Sequence, residues 1–277
     1  MRIDAHQHFW RFDPQRDRWI TEEMAALKRD FLPDELAREL AANGMDGSVA
    51  VQAAQSEDET LFLLDLASQW PTIAGVVGWT ELTARNLPER LESYRKHRKL
   101  CGFRHIAQAE PDDRFLLRQD FMRGIGYLAE FSFTYDILIY PKQLAAAVEL
   151  AEKFPGQRFV IDHMAKPPVR TKEIAAWGAQ IRAIAASPNV YCKLSGLVTE
   201  ADWRHWRAGD FKPCLDLVFD AFGTDRLLFG SDWPVCLLAG TYRQVKELIV
   251  GYTSRLPAAD QEKIFGSNAV RFYGLEA

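Results

Sequence analysis

Eight short runs of β-branched and aromatic residues alternate with helical patterns along this chain of 277 residues, and this alternation constrains the fold more than any other feature. Each run has the length and the residue types of a β-strand. The runs are Arg2–His8, Gly47–Gln52, Ile73–Trp79, Leu100–Ile106, Phe133–Tyr140, Arg158–His163, Val190–Ser195 and Arg226–Asp232. Strands that are separated by helices pair in parallel, so the pattern predicts one parallel sheet with helices packed against it.

The segments between the runs carry start and stop signals of helices. Helix-like patterns cover Pro33–Asn43, Glu57–Gln69, Leu87–His97, Phe115–Ala129, Pro141–Phe154, Lys172–Ala186 and Pro213–Phe222. Pro33 and the acids after it suit a first helical turn, and the Asn43–Gly44 pair is typical of a helix end. Residues 11–30 and 200–210 lack these patterns, so we expect two long loops there.

Eight strand–helix units predict an α/β fold, a single (β/α)8 TIM barrel that forms one domain over residues 1–277. The length is large for an ordinary domain and typical of such a barrel. An open doubly wound sheet is the alternative. That fold favours a glycine-rich phosphate loop after the first strand, where this chain has the sequence HQHFW over residues 6–10.

The composition argues against several classes of protein. Hydrophobic residues make up 48% and charged residues 26%, which is an ordinary globular mixture. No apolar run reaches the roughly 18 residues that cross a bilayer, and no signal-peptide pattern is visible, so we expect a cytoplasmic protein. A net charge of −4 disfavours nucleic acid as a partner. The 4 cysteines form no Cys-x-x-Cys pair and are expected to be reduced and buried.

Polar residues gather at the predicted carboxyl ends of the strands, where barrel enzymes place their chemistry. His6 and His8 lie two residues apart on the first strand, so they should point the same way, about 6.5 Å apart along the chain, with Asp4 on their side. Such a pair suits a metal ion or a substrate oxygen, and a pair of structural histidines is the alternative. Other strand ends carry Arg104, His105, Asp162, His163, Lys193 and Asp232.

Asp232 is the strongest single candidate, because it stands where a buried strand turns into a loop. A carboxylate there can accept a proton from water or bind a metal, and a turn cap is its alternative role. Arg104 and Lys193 can each hold a substrate oxygen, or they can pair with acids inside the barrel mouth. These residue types together favour attack by water on a carbonyl group.

Six motifs together resemble the amidohydrolase-superfamily sugar lactonases, the group of L-fuconolactonase and L-rhamnonolactonase, which is similar to 2-pyrone-4,6-dicarboxylate lactonase. They are DAHQHFW (4–10), GFRH (102–105), IDHMAKP (161–167), YCKLSGL (191–197), FGSDWPV (229–235) and SNAVRFYGL (267–275), so the resemblance spans nearly the whole chain. It implies a TIM barrel that opens a cyclic ester to a sugar acid. L-fuconolactone is the first expected substrate and L-rhamnonolactone the second.

The resemblance and the strand ends together give an expected site. Asp232, His163 and Arg104 are the expected catalytic residues, with Asp232 as the general base. The expected substrate-binding residues are His6, His8, Trp10, Gln52, Trp79, Tyr135, Lys193 and Trp233, although scaffold packing is the alternative for the aromatic ones. One divalent ion such as zinc can be held by His6, His8 and Asp232, but no metal is strictly required.

The chain departs from the binuclear members of the amidohydrolase superfamily, which bridge two metals with a lysine or glutamate on strand four and use two further histidines. Strand four here offers Arg104 and His105, and strand five has no histidine, so a binuclear metal centre is not expected. Two further functions stay open at this point. One is an amidohydrolase-type decarboxylase, and the other is a non-catalytic barrel that binds sugar acids. The expected partner is a small-molecule sugar lactone, without nucleic acid or membrane, and the chain can be a monomer or a homo-oligomer.

Overall fold

The computed structural model describes residues 1–276 and contains a barrel of eight parallel strands in sequence order. The strands are β1 (Ile3–Gln7), β2 (Gly47–Val51), β3 (Ile73–Gly78), β4 (Leu100–His105), β5 (Thr134–Ile137), β6 (Phe159–Ile161), β7 (Val190–Leu194) and β8 (Leu227–Phe229). Each strand pairs in parallel with the next along the chain. The predicted (β/α)8 barrel is therefore confirmed, with every predicted strand present and each of them shorter than predicted.

Helices surround the barrel and close its lower end. They are α1 (Pro33–Ala42), α2 (Glu57–Gln69), α3 (Leu87–Tyr94), α4 (Gln119–Glu130), α5 (Leu144–Lys153), α6 (Ala175–Ala185), α7 (Ala208–Phe222), α8 (Tyr242–Thr253), α9 (Ala258–Glu262) and α10 (Asn268–Tyr273). The last three lie beyond the helical patterns that we recognised. None of the helices formed by residues 1–276 is long and apolar enough to cross a membrane.

The start of α7 differs from the sequence prediction. The helix begins at Ala208, five residues before Pro213, so the predicted loop over residues 200–210 is too long at its end. The carboxylate of Asp210 accepts a hydrogen bond from the Arg207 backbone N–H at 2.8 Å. This cap begins the helix early, and Pro213 costs only one backbone hydrogen bond inside it.

The barrel closes between β1 and the segment that follows β8. The backbone N–H of Asp232 donates to the carbonyl of His6 at 2.8 Å, and the N–H of His8 donates to the carbonyl of Trp233 at 2.7 Å. The Asp4 carboxylate also accepts from the backbone N–H and the hydroxyl of Ser231, at 2.9 and 2.6 Å. The seam is therefore held at the carboxyl ends of the strands, next to the candidate site.

The alternation predicted for the first strand does not hold. If His6, His8 and Asp4 shared the inner face, Ile3 and Ala5 would pack outward against the helices, but they belong to a cluster with Val77, Val160 and Leu228. Side chains of β1, β3 and β6 can meet only inside the barrel, so Ile3 and Ala5 face inward. His6 faces inward as well, because the pairing of β1 with β2 shifts register between residues 4 and 7. An irregular strand loses the simple two-residue period.

Candidate active site

Three imidazole rings converge on one carboxylate oxygen at the carboxyl end of the barrel. From Asp232 Oδ1, the distance is 3.4 Å to His8 Nε2, 3.8 Å to His6 Nε2 and 3.9 Å to His163 Nε2. His6 Nε2 and His8 Nε2 are 3.2 Å apart. Each of the four residues is at most 6% exposed, so the cluster is buried. Residues from β1, β6 and β8 that are far apart in the sequence thus form one site.

Asp232 is held in place by backbone geometry. Its φ of 58° lies in the left-handed region, which is costly for a residue with a Cβ atom and is common at functional sites. The seam hydrogen bond to His6 and the bond from the Cys236 N–H to the Asp232 carbonyl, at 2.8 Å, fix this conformation. Gly230 lets the two strands approach, because a Cβ there would lie 2.6 Å from the Cβ of His6.

His163 lies in a turn that the sequence did not predict. β6 ends at Ile161, and residues 163–166 all have φ between 51 and 54°. A run of left-handed residues costs roughly 1–2 kcal/mol for each, so the surrounding contacts must hold the turn. Trp177 Nε1 donates to the carbonyl of Met164 at 2.9 Å. Gly196 packs against His163, where a Cβ would come within 2.5 Å of Nδ1.

Hydrogen bonds orient two of the rings. His8 Nδ1 is 2.7 Å from the carbonyl oxygen of Val51, which can only accept, so Nδ1 carries a hydrogen and Nε2 is turned toward the cluster. His163 Nδ1 is 2.9 Å from the hydroxyl of Ser195. Burial lowers the pKa of His163 to about 4, and it also lowers the pKa of His6 well below its usual value. Burial therefore favours the neutral imidazoles of His6 and His163 at neutral pH.

The electrostatics keep the carboxyl group ionised. Burial raises the pKa of Asp232, but the three histidines outweigh burial, so the pKa falls well below its usual value. Asp232 is therefore a carboxylate at neutral pH. An ionised oxygen beside several neutral nitrogens can accept a proton or bind a cation.

The ligand atoms fit a single metal ion. His6 Nε2, His8 Nε2 and Asp232 Oδ1 are separated by 3.2 to 3.8 Å. Ligands around tetrahedral zinc lie about 3.3 Å apart, since the bonds are about 2.0 Å long. The bond from His8 Nδ1 to a backbone carbonyl is the outer contact that metal-binding histidines usually make. The donor set of two nitrogens and one carboxylate thus suits zinc.

A layer of buried ion pairs lies directly below the cluster. Asp162 is 2.9 Å from Arg104 Nη1 and 2.9 Å from Lys193 Nζ, and Lys193 is 2.5 Å from Asp136. Tyr273 of α10 donates its hydroxyl hydrogen to Asp136 at 2.8 Å. Burial disfavours the ionised form of Asp162, but Lys193, His6 and Arg104 keep its pKa well below the usual value. Two cations and two carboxylates thus support the floor of the site.

Lys193 takes the second of the two roles named for it from the sequence, an ion pair with acids inside the barrel. Its side chain is 0% exposed, and its charge is shared between Asp136 and Asp162. It also lies 3.0 Å from Nδ1 of His6, so it acts on the site from below. Arg104 lies in the same layer but reaches further up, with Nη1 3.4 Å from Nε2 of His6.

Comparison with known proteins assigns the chain to a family. The family model described as amidohydrolase matches residues 3–275. The chain belongs to the amidohydrolase family. This amidohydrolase is 45% identical to an L-fucono-1,5-lactonase of Burkholderia multivorans, over 99% of this chain and 96% of that protein. It is 35% identical to an L-fucono-1,5-lactonase of Burkholderia ambifaria, over 99% of this chain and 96% of that one.

A solved structure is similar over the full length of the amidohydrolase. It is the crystal structure of an amidohydrolase from Burkholderia multivorans with bound zinc. The two chains are 45% identical, have a TM-score of 0.96 and cover 100% of each other. At this similarity the barrel and its connecting loops share one path.

Three aromatic residues that the sequence placed at the site of this amidohydrolase belong to its scaffold. Trp10 and Trp233 are each at most 2% exposed, and both rings pack edge-on against Phe31, 5.3 Å away. They hold the first long loop, which returns to the barrel at Phe31. The ring of Tyr135 lies 5.8 Å from that of Phe121 in α4, so it packs outside the barrel. Its neighbour Asp136 takes the inward position because side chains alternate along β5.

Gln52 and Trp79 remain candidates for contact with a ligand in the amidohydrolase. Gln52 Nε2 donates to the carbonyl of Arg104 at 3.1 Å, which ties it to the layer below the cluster. Within residues 1–276, Gln52 Oε1 and Trp79 Nε1 are buried and have no hydrogen-bond partner. Buried polar atoms usually have a partner, so both atoms have unsatisfied hydrogen-bonding capacity.

Several contributors to the site were not assigned a role from the sequence. Ser195 orients His163, and the Val51 carbonyl orients His8. Ser195 follows Lys193 in the motif YCKLSGL, and this position is the one signal that could have pointed to it. The Val51 carbonyl carries no residue-specific signal, because every residue has one.

Proposed function

We propose that this protein hydrolyses a sugar lactone to the sugar acid, with L-fucono-1,5-lactone as the first substrate to test. The observation that carries the proposal is the carboxylate of Asp232 among three imidazoles at the mouth of the barrel. Two L-fucono-1,5-lactonases at 45% and 35% identity over nearly the whole chain support the same substrate class. They also favour hydrolysis over decarboxylation and over sugar-acid binding without turnover.

Asp232 is the general base in this proposal. Its low pKa keeps it ionised, and all three imidazoles lie on the side of Oδ1, which leaves Oδ2 for a water molecule. The carboxylate takes one proton as the water oxygen attacks the lactone carbonyl. When the bond between the carbonyl carbon and the ring oxygen breaks, Asp232 returns the proton to that oxygen. Such a base typically contributes about 10²- to 10⁴-fold in rate.

His163 and Arg104 stabilise the negative charge that develops on the carbonyl oxygen. In this proposal the Ser195 hydroxyl, 2.9 Å from His163 Nδ1, donates to that nitrogen, and the ring hydrogen lies on Nε2, on the side of Asp232. The Arg104 guanidinium supplies a fixed positive charge 3.4 Å from His6 Nε2. Each such donor is worth about 10²- to 10³-fold in rate.

One zinc ion fits His6, His8 and Asp232. When bound, zinc polarises a carbonyl group and makes water more acidic. The zinc in the structure of the Burkholderia multivorans amidohydrolase, at 45% identity, supports this assignment. A cytoplasmic location, the absence of a nucleic-acid partner and the choice between monomer and homo-oligomer stay predictions from the sequence.

The test is a pH-indicator assay of the purified protein over a panel of 1,5- and 1,4-aldonolactones. Parallel wells contain EDTA, or EDTA followed by added zinc, and the Asp232→Asn variant is the matched blank. We expect turnover of L-fucono-1,5-lactone well above the blank. No turnover above the blank on any lactone would overturn the proposal; CO₂ release from an aromatic acid, or sugar-acid binding without turnover, would point to the other functions.

A further inference from the structure

Three side chains on consecutive loops border the site and take no part in the chemistry above. Tyr140 follows β5, Lys166 follows β6 and Glu200 follows β7. Lys166 Nζ is 3.6 Å from Glu200 Oε1 and 5.0 Å from the centre of the Tyr140 ring. Neighbouring strands bring these loops to one side of the barrel mouth. We call these three residues the mouth cluster.

The mouth cluster lies close to the catalytic group. Lys166 ends the left-handed turn that begins at His163, so the two side chains lie on one short rigid segment. Burial is the largest cause of the pKa shifts of Glu200 and His163, and charges between the mouth cluster and the catalytic group are a smaller cause. Asp232 adds to the rise of the pKa of Glu200, and Lys166 adds to the fall of the pKa of His163.

Lys166 and Glu200 form a long, partly exposed ion pair, which leaves both groups with unused hydrogen-bonding capacity. The Lys166–Glu200 separation of 3.6 Å is longer than a hydrogen bond, and the two side chains are 19% and 24% exposed. By contrast, Arg104 and Asp162 in the layer below are 2.9 Å apart and almost fully buried. Tyr140 is 40% exposed, and it is one of the few large hydrophobic residues in the described part of the chain that are exposed.

We propose that the mouth cluster is the subsite that binds the hydroxyl-bearing part of a polyhydroxylated lactone. This inference rests on the proposed function. The Lys166 ammonium donates to a hydroxyl oxygen, and the Glu200 carboxylate accepts from a hydroxyl hydrogen. The Tyr140 ring packs against an apolar C–H face of the sugar. The three contacts select for hydroxyl groups on the ring and leave the ester to Asp232.

A simple loop brace is the competing explanation of the Lys166–Glu200 pair, and substrate selectivity separates the two. Glu200→Gln and Lys166→Met are compared with wild type on L-fucono-1,5-lactone and on δ-valerolactone, which has the same ring without hydroxyl groups. We expect the ratio of kcat/KM values, sugar lactone over δ-valerolactone, to fall about 10- to 100-fold, mainly through a higher KM for the sugar lactone.

The matched control is Arg90→Met, which breaks a half-buried ion pair with Glu57 between α2 and α3. The control should keep the wild-type ratio. A ratio within twofold of wild type in both mouth-cluster variants would overturn the proposal, and so would an equal loss on both lactones.

A binding measurement tests the subsite independently of turnover. The same variants are titrated with L-fuconate, the sugar acid, by calorimetry, and we expect about 10-fold weaker binding than in wild type and in Arg90→Met. If wild type turns over no lactone, the proposed function fails, and the titration still decides the subsite. Unchanged L-fuconate binding in both variants would then overturn it. Thermal denaturation confirms that each variant is folded.

Discussion

The backbone N–H of Asp232 donates to the carbonyl of His6 at 2.8 Å, so the bond that closes the barrel also joins two residues of the candidate site. The next pair along the seam, His8 and Trp233, forms a second such bond at 2.7 Å. The ligand atoms of His6, His8 and Asp232 are thus fixed by the scaffold itself. A site built on the closure of a rigid barrel needs little rearrangement to bind a metal ion or a substrate.

Replacing the base should remove most activity while the fold is kept. In Asp232→Asn the backbone bonds of the seam remain, but the amide cannot take a proton from water. We expect kcat/KM for the best lactone to fall about 10²- to 10⁴-fold with a circular dichroism spectrum like that of wild type. Asp58→Asn, at an exposed position of α2, serves as the control. Near-wild-type turnover by Asp232→Asn would remove Asp232 from the mechanism.

Zinc affinity should depend on His8. The His8→Gln variant loses one of three ligands, so we expect zinc to bind at least about 100-fold more weakly, given that even an outer contact is worth about 10- to 100-fold. The measurement is competition with a coloured chelator, which reads binding without activity. His97→Gln, on the outer side of the barrel after α3, should bind zinc like wild type. Equal affinity in both variants would place the ion elsewhere.

Removing the buried cation below the site should destabilise the protein. Lys193→Met leaves Asp136 and Asp162 without their shared partner in a region with 0% exposure. We expect a loss of about 3–5 kcal/mol in the free energy of unfolding, measured with urea. Lys212→Met, which breaks an exposed pair on α7, should cost less than about 1 kcal/mol. Adding Asp136→Asn to Lys193→Met should recover part of the loss, and the account fails if Lys193→Met is as stable as the control.

The packing of His163 can be tested at a glycine. Gly196→Ala would place a Cβ 2.5 Å from His163 Nδ1, at a residue with φ of 63°. Gly223→Ala is the matched control, because its φ is 64° and no atom lies within 4 Å of its Cβ position. Both variants bear the backbone strain of an alanine in the left-handed region, about 1–2 kcal/mol, but only Gly196→Ala displaces the His163 imidazole. We expect kcat/KM to fall more than 10-fold in Gly196→Ala alone; equal activity in the two variants would argue against a role for His163.

The thiols should be inert in the folded protein. All 4 cysteines are free and buried. Burial raises the pKa of Cys101 to about 12 and that of Cys214 to about 11, so few thiolates form at pH 8. We expect less than about one thiol per molecule to react with an aromatic disulfide reagent at pH 8 while the protein is folded. All four should react once the protein is unfolded. Rapid reaction of two or more thiols in the native protein would show that this part of the barrel opens readily.

The sequence by itself determined the eight strands, the parallel barrel and the identity of the central residues. Hydrophobic runs, helix signals and turn residues are local features, so each can be recognised without knowing what it packs against. The strand ends were predicted less well, because the site residues leave strand geometry there. Both His163 and Asp232 take left-handed φ values, which no local pattern of non-glycine residues predicts.

Only the tertiary structure decided which polar residues work together. The sequence left Lys193 with two roles, a substrate contact or an ion pair, and the structure pairs it with two acids distant in the sequence, Asp136 and Asp162. Tyr135 and Trp10 were expected in the cavity, and packing with Phe121 and Phe31 keeps them in the scaffold. Burial and long-range pairing depend on how the strands come together around the barrel, and a register shift in β1 was enough to undo a simple two-residue alternation. The physical reason is that desolvation and charge pairing act through space, whereas strand and helix propensities act along the chain.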